Sequence, residues 1–434
     1  MPAKKQASRS EREATDGFGP DSVGIGARAS NNTDCHLAPS VLFVFAGYRG
    51  RDGGNWPPKQ TGKGDFGTRG QARATGGTPV STCRKGIEMK VLVVGDSYMP
   101  TRYFQQAFGA LGPGHAVDYL QVDPALPFSP ATASELRIKE YQGSPAQLCA
   151  HMAGVEALVV QGAPVTDSVL DASSALKFVG CARGGPVNVD LEAVNARGLV
   201  LVNTPGKNAE AVADQTLAFL VMLARGFPRA QRFLEQGQQL KDNWEGAKFI
   251  GSDLRRHTLG LVGFGQVAQR VARRAVAFGM KVIAFDPYVD VIGEENVERV
   301  WALDDLLAEA DFVSLHARAT QDNANLFDDV TFAKMREGSY FVNTARETLV
   351  DEDALDAALA SGRLAGAALD VVRPTTGTVQ HPLLRHPNVV MTPHIGGATH
   401  ETLLQGAEMV AEEVRRFTLG EPLRYVVNRE APVP

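Results

Sequence analysis

The sequence predicts an α/β fold built from parallel β-sheets. From Met89 onward, short runs rich in Val, Ile, Leu and Phe alternate with stretches of helical periodicity, the order expected when a crossover helix joins each strand to the next. A glycine turn between a strand and a helix in mid-chain supports the same class. The strand-like runs are residues 91–94, 157–160, 178–181, 200–203, 259–262, 282–285, 312–316, 340–343, 366–370 and 389–392.

Two helices are predicted from apolar residues spaced three and four positions apart. The first covers residues 209–225 and ends before Gly226, and the second covers residues 399–417. Their apolar faces consist of Ala213, Leu217, Leu220 and Leu223 in the first helix and of Leu403, Ala407, Val410 and Val414 in the second.

The glycine turn has the pattern of a dinucleotide-binding βαβ unit. The strand at residues 259–262 leads into G-x-G-x-x-A, in which Gly263 permits a tight turn and Gly265 lets a pyrophosphate approach the backbone. The helix that follows offers free N–H groups and a partial positive charge to phosphates. The predicted cofactor-binding residues of the turn are Gly263, Gly265, Gln266 and Val267.

An acid at the end of the next strand distinguishes two cofactors. The apolar run at residues 282–285 is followed by Asp286, which can accept hydrogen bonds from both hydroxyls of an adenine ribose. The same carboxylate would repel a 2′-phosphate. The sequence therefore predicts NAD rather than NADP.

Composition limits the possible partners. The net charge of −5 gives no sign of a nucleic-acid partner, and no apolar run approaches the roughly 18 residues of a transmembrane helix, so we expect no membrane partner. The four cysteines and the histidines show no metal-ligand spacing, and we assign no metal. So few thiols in a long chain fit a reducing compartment, which predicts a cytoplasmic protein.

Residues 1–88 differ from the rest of the chain. They contain 15 glycines and have a net charge of +5, against −10 for the remainder, and no sustained periodicity. We interpret them as a disordered N-terminal extension. A sharper hypothesis is that translation starts at Met89, where the first clean strand begins, and N-terminal sequencing of protein made from the native gene would decide.

Four further signals accompany the turn in a fixed order. Arg346 follows the strand at residues 340–343, Asp370 ends the strand at residues 366–370, and His394 lies in Thr-Pro-His-Ile-Gly-Gly after the last strand. Upstream, residues 183–190 read Arg-Gly-Gly-Pro-Val-Asn-Val-Asp after another strand.

Together these motifs resemble those of the D-isomer-specific 2-hydroxyacid dehydrogenases, a family that includes D-3-phosphoglycerate, glycerate/hydroxypyruvate and D-lactate dehydrogenases. The resemblance extends from Met89 to about Val427. It implies two Rossmann-like or flavodoxin-like domains, with the NAD-binding domain (residues 211–394) inserted into a discontinuous substrate domain (residues 89–210 and 395–428). The active site is then expected in the cleft between the domains, beyond the carboxyl ends of the strands.

The resemblance implies roles for two charged side chains. Arg346 lies where the family has its catalytic arginine, whose guanidinium can hold the substrate carboxylate and polarise the 2-keto oxygen. His394 lies where the family has its catalytic histidine, which takes the hydroxyl proton in oxidation and returns it in reduction.

The resemblance also implies roles for other positions, and an alternative explanation remains for these residues. Asp370 resembles the aspartate that contacts the nicotinamide carboxamide, although an Asp at a strand end also fits a turn cap. Gly184 and Gly185 resemble the loop whose N–H groups bind the substrate carboxylate, although they also fit a simple turn. The remaining predicted residues are Asn208 and Val212, near the meeting point of cofactor and substrate, and Arg183, which can contact a phosphate together with Lys207 or simply face solvent.

The sequence departs from the family pattern five residues after Asp370. The family usually has a glutamate there, which pairs with the histidine and stabilises its charged form, whereas this chain has Thr375. A hydroxyl can orient an imidazole but does not stabilise its charge as an anion does. We therefore expect a reduction optimum at lower pH. Smaller departures are Glu347 after Arg346 and Arg318-Ala319-Thr320 after the strand at residues 312–316.

The predicted function is NAD-dependent interconversion of a D-2-hydroxy acid and its 2-keto acid, with D-3-phosphoglycerate or hydroxypyruvate/glyoxylate as plausible substrates. The alternative is an NAD(H)-sensing, corepressor-like binding protein with little turnover; the missing glutamate and the long N-terminal extension favour it, and the retention of both Arg346 and His394 opposes it. Residues 227–253 resemble the family's dimerisation arm, so a homodimer is expected.

Overall fold

The computed structural model describes residues 89–111, 115–125, 128–289, 293–375 and 380–428. The extension predicted to be disordered, residues 1–88, lies outside the described residues, so both interpretations of it stay predictions.

The first sheet has five parallel strands in the order β2-β1-β3-β4-β5. This is the strand order of flavodoxin-like folds, in which the chain reverses direction across the sheet beside the first strand. The strands are β1 (Met89–Gly95), β2 (His115–Gln121), β3 (Ala157–Val160), β4 (Phe178–Cys181) and β5 (Val200–Val202). The helices between them are α1 (Thr101–Gly109), α2 (Ala133–Arg137), α3 (Pro145–Cys149), α4 (Asp167–Asp171) and α5 (Leu191–Ala196).

The second sheet has seven parallel strands in the order β12-β11-β10-β9-β6-β7-β8. Numbered from β6, its first six strands have the Rossmann order 3-2-1-4-5-6, with β12 added at the edge. The strands are β6 (Thr258–Val262), β7 (Lys281–Phe285), β8 (Val297–Arg299), β9 (Phe312–Leu315), β10 (Ser339–Asn343), β11 (Leu364–Leu369) and β12 (Val389–Met391). The accompanying α-helices are α6 (Ala209–Ala224), α7 (Phe227–Glu235), α8 (Gln266–Ala277), α9 (Leu303–Glu309), α10 (Asp329–Lys334) and α11 (Glu352–Ala360).

The last helix, α12 (His400–Leu419), returns to the first sheet. Its predicted apolar face is buried in one cluster with Val91 of β1, Phe104 of α1 and Phe178 of β4. The chain therefore leaves the first sheet after β5 and rejoins it after β12. The predicted α/β architecture, with one domain inserted into the other, is confirmed, whereas the boundaries near Ala211 and His394 stay predictions.

Two strands were not among the predicted runs, and both lie at sheet edges. β2 has mostly exposed side chains, and β8 has only three residues, none of them buried. An edge strand is solvated along one side, so it lacks the continuous apolar run that identifies a central parallel strand. Across the described ranges, no helix combines the length and apolar character needed to cross a membrane.

Candidate active site

A cavity of about 720 Å³ lies where strands of both sheets end. Its walls come from the segments that follow β1, β3, β4, β5, β10, β11 and β12, from residues 140–142 before α3 and from Thr402 of α12. Both sheets belong to the same compact unit. Six predicted residues line it: Arg183, Gly184, Gly185, Asn208, Arg346 and His394. Thr375, Asp370, Val212 and the glycine turn are not among the lining residues.

Arg346 is held at the cavity by the end of β10. The buried Asn343 side chain donates to the carbonyl of Arg346 (3.0 Å) and accepts from the amide of Ala345 (2.9 Å), which fixes the turn. Nη1 of Arg346 donates to the carbonyl of Ala345 at 2.6 Å. A guanidinium has five N–H donors in a planar fork, so others stay available to a carboxylate in the cavity.

His394 lies on the turn after β12 in an uncommon backbone conformation. Its φ of +56° is in the left-handed region, where His is found more often than most residues. The amide of His394 donates to the carbonyl of Asp370 at 2.8 Å. This turn directs the exposed His394 side chain to the cavity that Arg346 also lines.

Asp370 holds the turn that contains His394. Asp370 is 3% exposed, and its carboxylate accepts hydrogen bonds from the amides of Ile395 (2.9 Å) and Gly396 (2.8 Å). Gln215 and Thr392 donate to the same carboxylate. The structure thus shows the turn-capping role, and a contact with the nicotinamide stays a prediction.

The first turn of α6 packs against the segment that follows His394. A Cβ atom built on Gly397 would lie 2.9 Å from Nδ2 of Asn208, and one built on Gly396 would lie 3.5 Å from Cγ2 of Val212. Gly397 therefore lets this segment approach Asn208 closely, whereas the distance from Gly396 to Val212 is an ordinary van der Waals contact. Asn208 and Val212 thereby support the turn of His394, and direct contacts with a ligand stay predictions.

The glycine turn after β6 fits a dinucleotide. Gly263 has φ +86°, and a Cβ there would lie 2.7 Å from the backbone of Ala317, so only glycine suits the position. A Cβ on Gly265 would meet no atom within 4 Å, which leaves room for a pyrophosphate. Asp286 accepts hydrogen bonds from the amides of Phe264 (2.7 Å) and Tyr288 (2.8 Å) and is thus fixed beside the turn.

The first two residues of α8 differ in their surroundings. Gln266 is exposed. Its side-chain amide lies so close to Gly206 that a side chain at position 206 would collide with this amide. Val267 is half-buried and packs against the core of the second sheet. Both lie on the first turn of the helix, where free amides are expected.

The first sheet supplies the opposite wall of the cavity. Arg183 donates to the backbone carbonyl of Glu140 at 2.8 Å and forms an ion pair with its carboxylate. Gly184 and Gly185 are exposed, and a Cβ on either would meet nothing within 4 Å, so their backbone is open to a ligand. Arg183 therefore does not simply face solvent, which corrects one alternative considered for it.

The lining residues that were not predicted from the sequence include Asp96, Tyr98 and Glu140. Asp96 and Tyr98 follow β1, and Glu140 precedes α3. Burial raises the pKa of the Asp96 carboxyl above its usual value, and its oxygens accept from the amides of Met99 and Gly162. The position of Asp96 directly after a clean strand was the available signal, since active sites form where parallel strands end.

The position of the missing glutamate is at the surface. Thr375 is exposed and directly precedes residues 376–379, which the structure does not describe, while its neighbour Pro374 lines the cavity. The role of Thr375 stays a prediction. Within the part of the chain that the structure describes, no group of three or more His, Cys, Asp or Glu side chains is arranged to hold a metal ion.

Comparison with known proteins identifies the family. Residues 217–396 match the family model described as D-isomer specific 2-hydroxyacid dehydrogenase, NAD binding domain. The chain is similar to a D-3-phosphoglycerate dehydrogenase from Archaeoglobus fulgidus, with 37% identity over 278 residues, or 63% of this chain and 51% of that protein. The chain spans about half the length of the curated relatives it matches.

Solved structures match more than three quarters of this chain. A protein from Thermus thermophilus is 33% identical with a TM-score of 0.62, and the match covers 78% of this chain and 100% of that one. A D-lactate dehydrogenase from Treponema pallidum is 25% identical with a TM-score of 0.64, over the same shares. The family model also confirms the predicted cofactor, NAD. The site geometry, the family model and these similarities agree with the predicted resemblance, and this chain belongs to the D-isomer-specific 2-hydroxyacid dehydrogenase family.

Proposed function

We propose that this protein interconverts a D-2-hydroxy acid and its 2-keto acid, with NAD as the redox partner. The observation that supports this most directly is that Arg346 and His394, from two different strand ends, line one cavity. A cation that can fork a carboxylate and an imidazole that can exchange a proton are the two groups that such a reaction requires.

Arg346 and His394 have different proposed roles, which follow from the chemistry of their side chains. Arg346 orients the acid through its carboxylate and polarises the 2-keto oxygen. His394 gives a proton to that oxygen in reduction and takes it from the hydroxyl in oxidation. The backbone amides of Gly184 and Gly185 add donors for the carboxylate. When bound, NAD supplies a carbon, C4 of its nicotinamide, that accepts or donates the hydride.

For the substrate, we propose D-3-phosphoglycerate or hydroxypyruvate/glyoxylate. Support comes from relatives such as the Archaeoglobus fulgidus protein named D-3-phosphoglycerate dehydrogenase and from cationic Arg183 and Lys207 in the cavity wall. A phosphate or carboxylate on the acid would find these charges at the same cavity as Arg346.

The test is NADH oxidation at 340 nm with glyoxylate, hydroxypyruvate, 3-phosphohydroxypyruvate, pyruvate and longer sugar-derived acids. Turnover of one acid that depends on His394 would establish the dehydrogenase and name its substrate class. Tight NADH binding without turnover of any acid would contradict the proposal and favour an NAD(H)-sensing binding protein.

Replacement of Asp286 by Ser is expected to weaken NADH binding by about 10-fold and to abolish discrimination against NADPH, because hydrogen bonds to a charged acceptor contribute roughly 1.5–3 kcal/mol. Fluorescence titration with both cofactors measures this. Asp286→Asn is the matched control, since it keeps the shape and removes only the charge. An unchanged ratio of NADH to NADPH affinity in the Ser variant would show that Asp286 does not contact the ribose.

Replacement of Thr375 by Glu is expected to move the pH optimum of reduction upward, because a carboxylate near the imidazole stabilises its protonated form. The measurement is the pH profile of kcat/KM. Thr375→Gln, of nearly the same size but uncharged, is the control and should not shift the profile. If the Glu variant leaves the profile unmoved, the expected role of this position is wrong.

We also propose a homodimer formed through residues 227–253. This segment exposes large apolar side chains, including Leu234 (60% exposed), Trp244 (87%) and Ile250 (75%), which a second copy would cover. Sedimentation equilibrium of the full chain tests this, and a monomer at micromolar concentration would contradict it. The cytoplasmic location stays a prediction.

A further inference from the structure

Lys207 is a buried amine in the wall of the candidate active site. It follows β5, lines the cavity and is only 9% exposed. Its Nζ donates a hydrogen bond to the carbonyl of Ala182 at 2.7 Å. Lysines are rarely buried to this extent without a carboxylate partner.

A glycine in α12 makes room for this side chain. A Cβ atom built on Gly406 would lie 2.8 Å from Cδ of Lys207 and 3.1 Å from its Nζ. Glycine is a poor residue for the interior of a helix, and Gly406 lies near the middle of the 20 residues of α12. The packing of the last helix on the first sheet thus leaves a channel that the lysine stem occupies.

The charge of Lys207 has no carboxylate partner among the described residues. None of their ion pairs within 4 Å includes Lys207, and Ala182 uses only one of its three donors. Arg183, its cationic neighbour, is paired with Glu140. The nearby carboxylate of Asp96 accepts from two backbone amides.

We propose that Lys207 binds a second anionic group of the substrate, so that the enzyme selects 2-keto acids with a terminal phosphate or carboxylate. The proposal rests on the proposed function, in which Arg346 and the amides of Gly184 and Gly185 hold the carboxylate next to the keto group. The ammonium of Lys207 then binds an oxyanion at another position in the same cavity. This contact offsets the free-energy cost of burying an unpaired charge.

The test compares acids with and without the second anion. For the full chain and Lys207→Met, kcat/KM is measured with pyruvate, oxaloacetate and 3-phosphohydroxypyruvate. We expect the ratio of kcat/KM for either anionic acid to that for pyruvate to fall by about 10–100-fold in the variant, mainly through KM. Comparison of oxaloacetate with 3-phosphohydroxypyruvate shows whether a carboxylate or a phosphate is the preferred second anion. A ratio that stays unchanged overturns the proposal, whether the variant loses all activity equally or none.

Two further variants make the result specific. Gly406→Ala keeps the charge but displaces the lysine, so it should lower the same ratio. Lys177→Met removes an exposed lysine that pairs with Glu156 and should leave the ratio as in the wild type. A normal ratio in Gly406→Ala together with a reduced ratio in Lys177→Met would show that the effect is one of overall charge, which overturns the proposal.

The pH dependence gives an independent readout. Burial lowers the pKa of the Lys207 ammonium to about 8, and the titratable or charged groups that face it are Cys181, Arg183 and Asp96. Above pH 8 the amine loses its proton and its attraction for an oxyanion. KM for the preferred anionic acid should therefore rise between pH 7 and pH 9 in the wild type and stay flat in Lys207→Arg, since arginine keeps its charge. An equal rise in both proteins contradicts the proposal.

Calorimetry with inorganic phosphate separates this proposal from the proposed function. If the wild type reduces none of the acids, the dehydrogenase assignment fails. The anion site is then supported if phosphate binds the wild type at least 10-fold more tightly than Lys207→Met, and it is overturned if both bind phosphate equally.

Discussion

Replacement of His394 by Asn is expected to lower kcat by about 10³-fold, within the range that positioned general acids and bases contribute. His394 lies on a turn that Asp370 fixes. The carbonyl of Asp370 accepts a hydrogen bond from the amide of His394, and its carboxylate accepts from the amides of the next two residues. The imidazole is thus presented to the cavity by groups that the substitution leaves in place. Because Asn cannot exchange a proton at neutral pH, the pH dependence that a titrating imidazole gives to kcat/KM should disappear as well.

The control for this experiment is His151→Asn. His151 is exposed, lies outside the cavity lining and shares a hydrogen bond with the carbonyl of Gln147 through Nδ1. NADH affinity should be close to the wild-type value in both variants, because the glycine turn follows a different strand. If His394→Asn retains more than a tenth of wild-type kcat, another group moves the proton and the proposed role of His394 is wrong.

Replacement of Arg346 by Lys is expected to lower kcat/KM by about 10²–10³-fold, the loss typical when a transition-state donor is removed. Lysine keeps the positive charge but loses the planar fork that can hold a carboxylate through two parallel hydrogen bonds. Asn343 positions residue 346 through its backbone, so the turn should survive the change. Both kcat and KM should suffer, since the guanidinium serves binding and polarisation.

The matched control is Arg336→Lys, in the connection between α10 and β10. Arg336 is exposed, pairs with Asp311 and lies outside the cavity lining. Steady-state kinetics with the best substrate of the panel measures both variants. Wild-type kcat/KM in Arg346→Lys would mean that charge alone suffices at this position, contrary to the proposed forked contact.

Central strands of the fold were predictable because they are buried on both faces. β3 and β4 begin and end as predicted, and their residues are all buried. β2 was missed because its side chains are largely exposed at an edge of the sheet. A strand that is buried on both faces needs a continuous apolar run, and this run identifies it in the sequence. The central strands of each sheet are therefore predictable, whereas the edge strands are not.

The site shows the same division. The placement of Arg346 and His394 at the cavity was predictable because each lies in a local motif beside a strand end. The burial of Lys207 was not, because it depends on Gly406, which is distant in sequence and close only after α12 has packed. The ion pair of Arg183 with Glu140 likewise joins residues 43 positions apart. Local sequence motifs predict which charged side chains reach the site, whereas the residues that contact these side chains depend on tertiary packing.

The return of α12 to the first sheet has a consequence for synthesis on the ribosome. Tyr103 of α1 contacts His400 of α12 across 297 positions of sequence. At the roughly 5–20 residues added per second, about 15–60 s separate the emergence of these two helices. During that time Val91, and Phe178 once it has been synthesised, lack the α12 side chains that complete their burial, and every strand of the second sheet is synthesised before α12. The apolar face that α12 shares with α1 is therefore only partly covered on the nascent chain until α12 emerges.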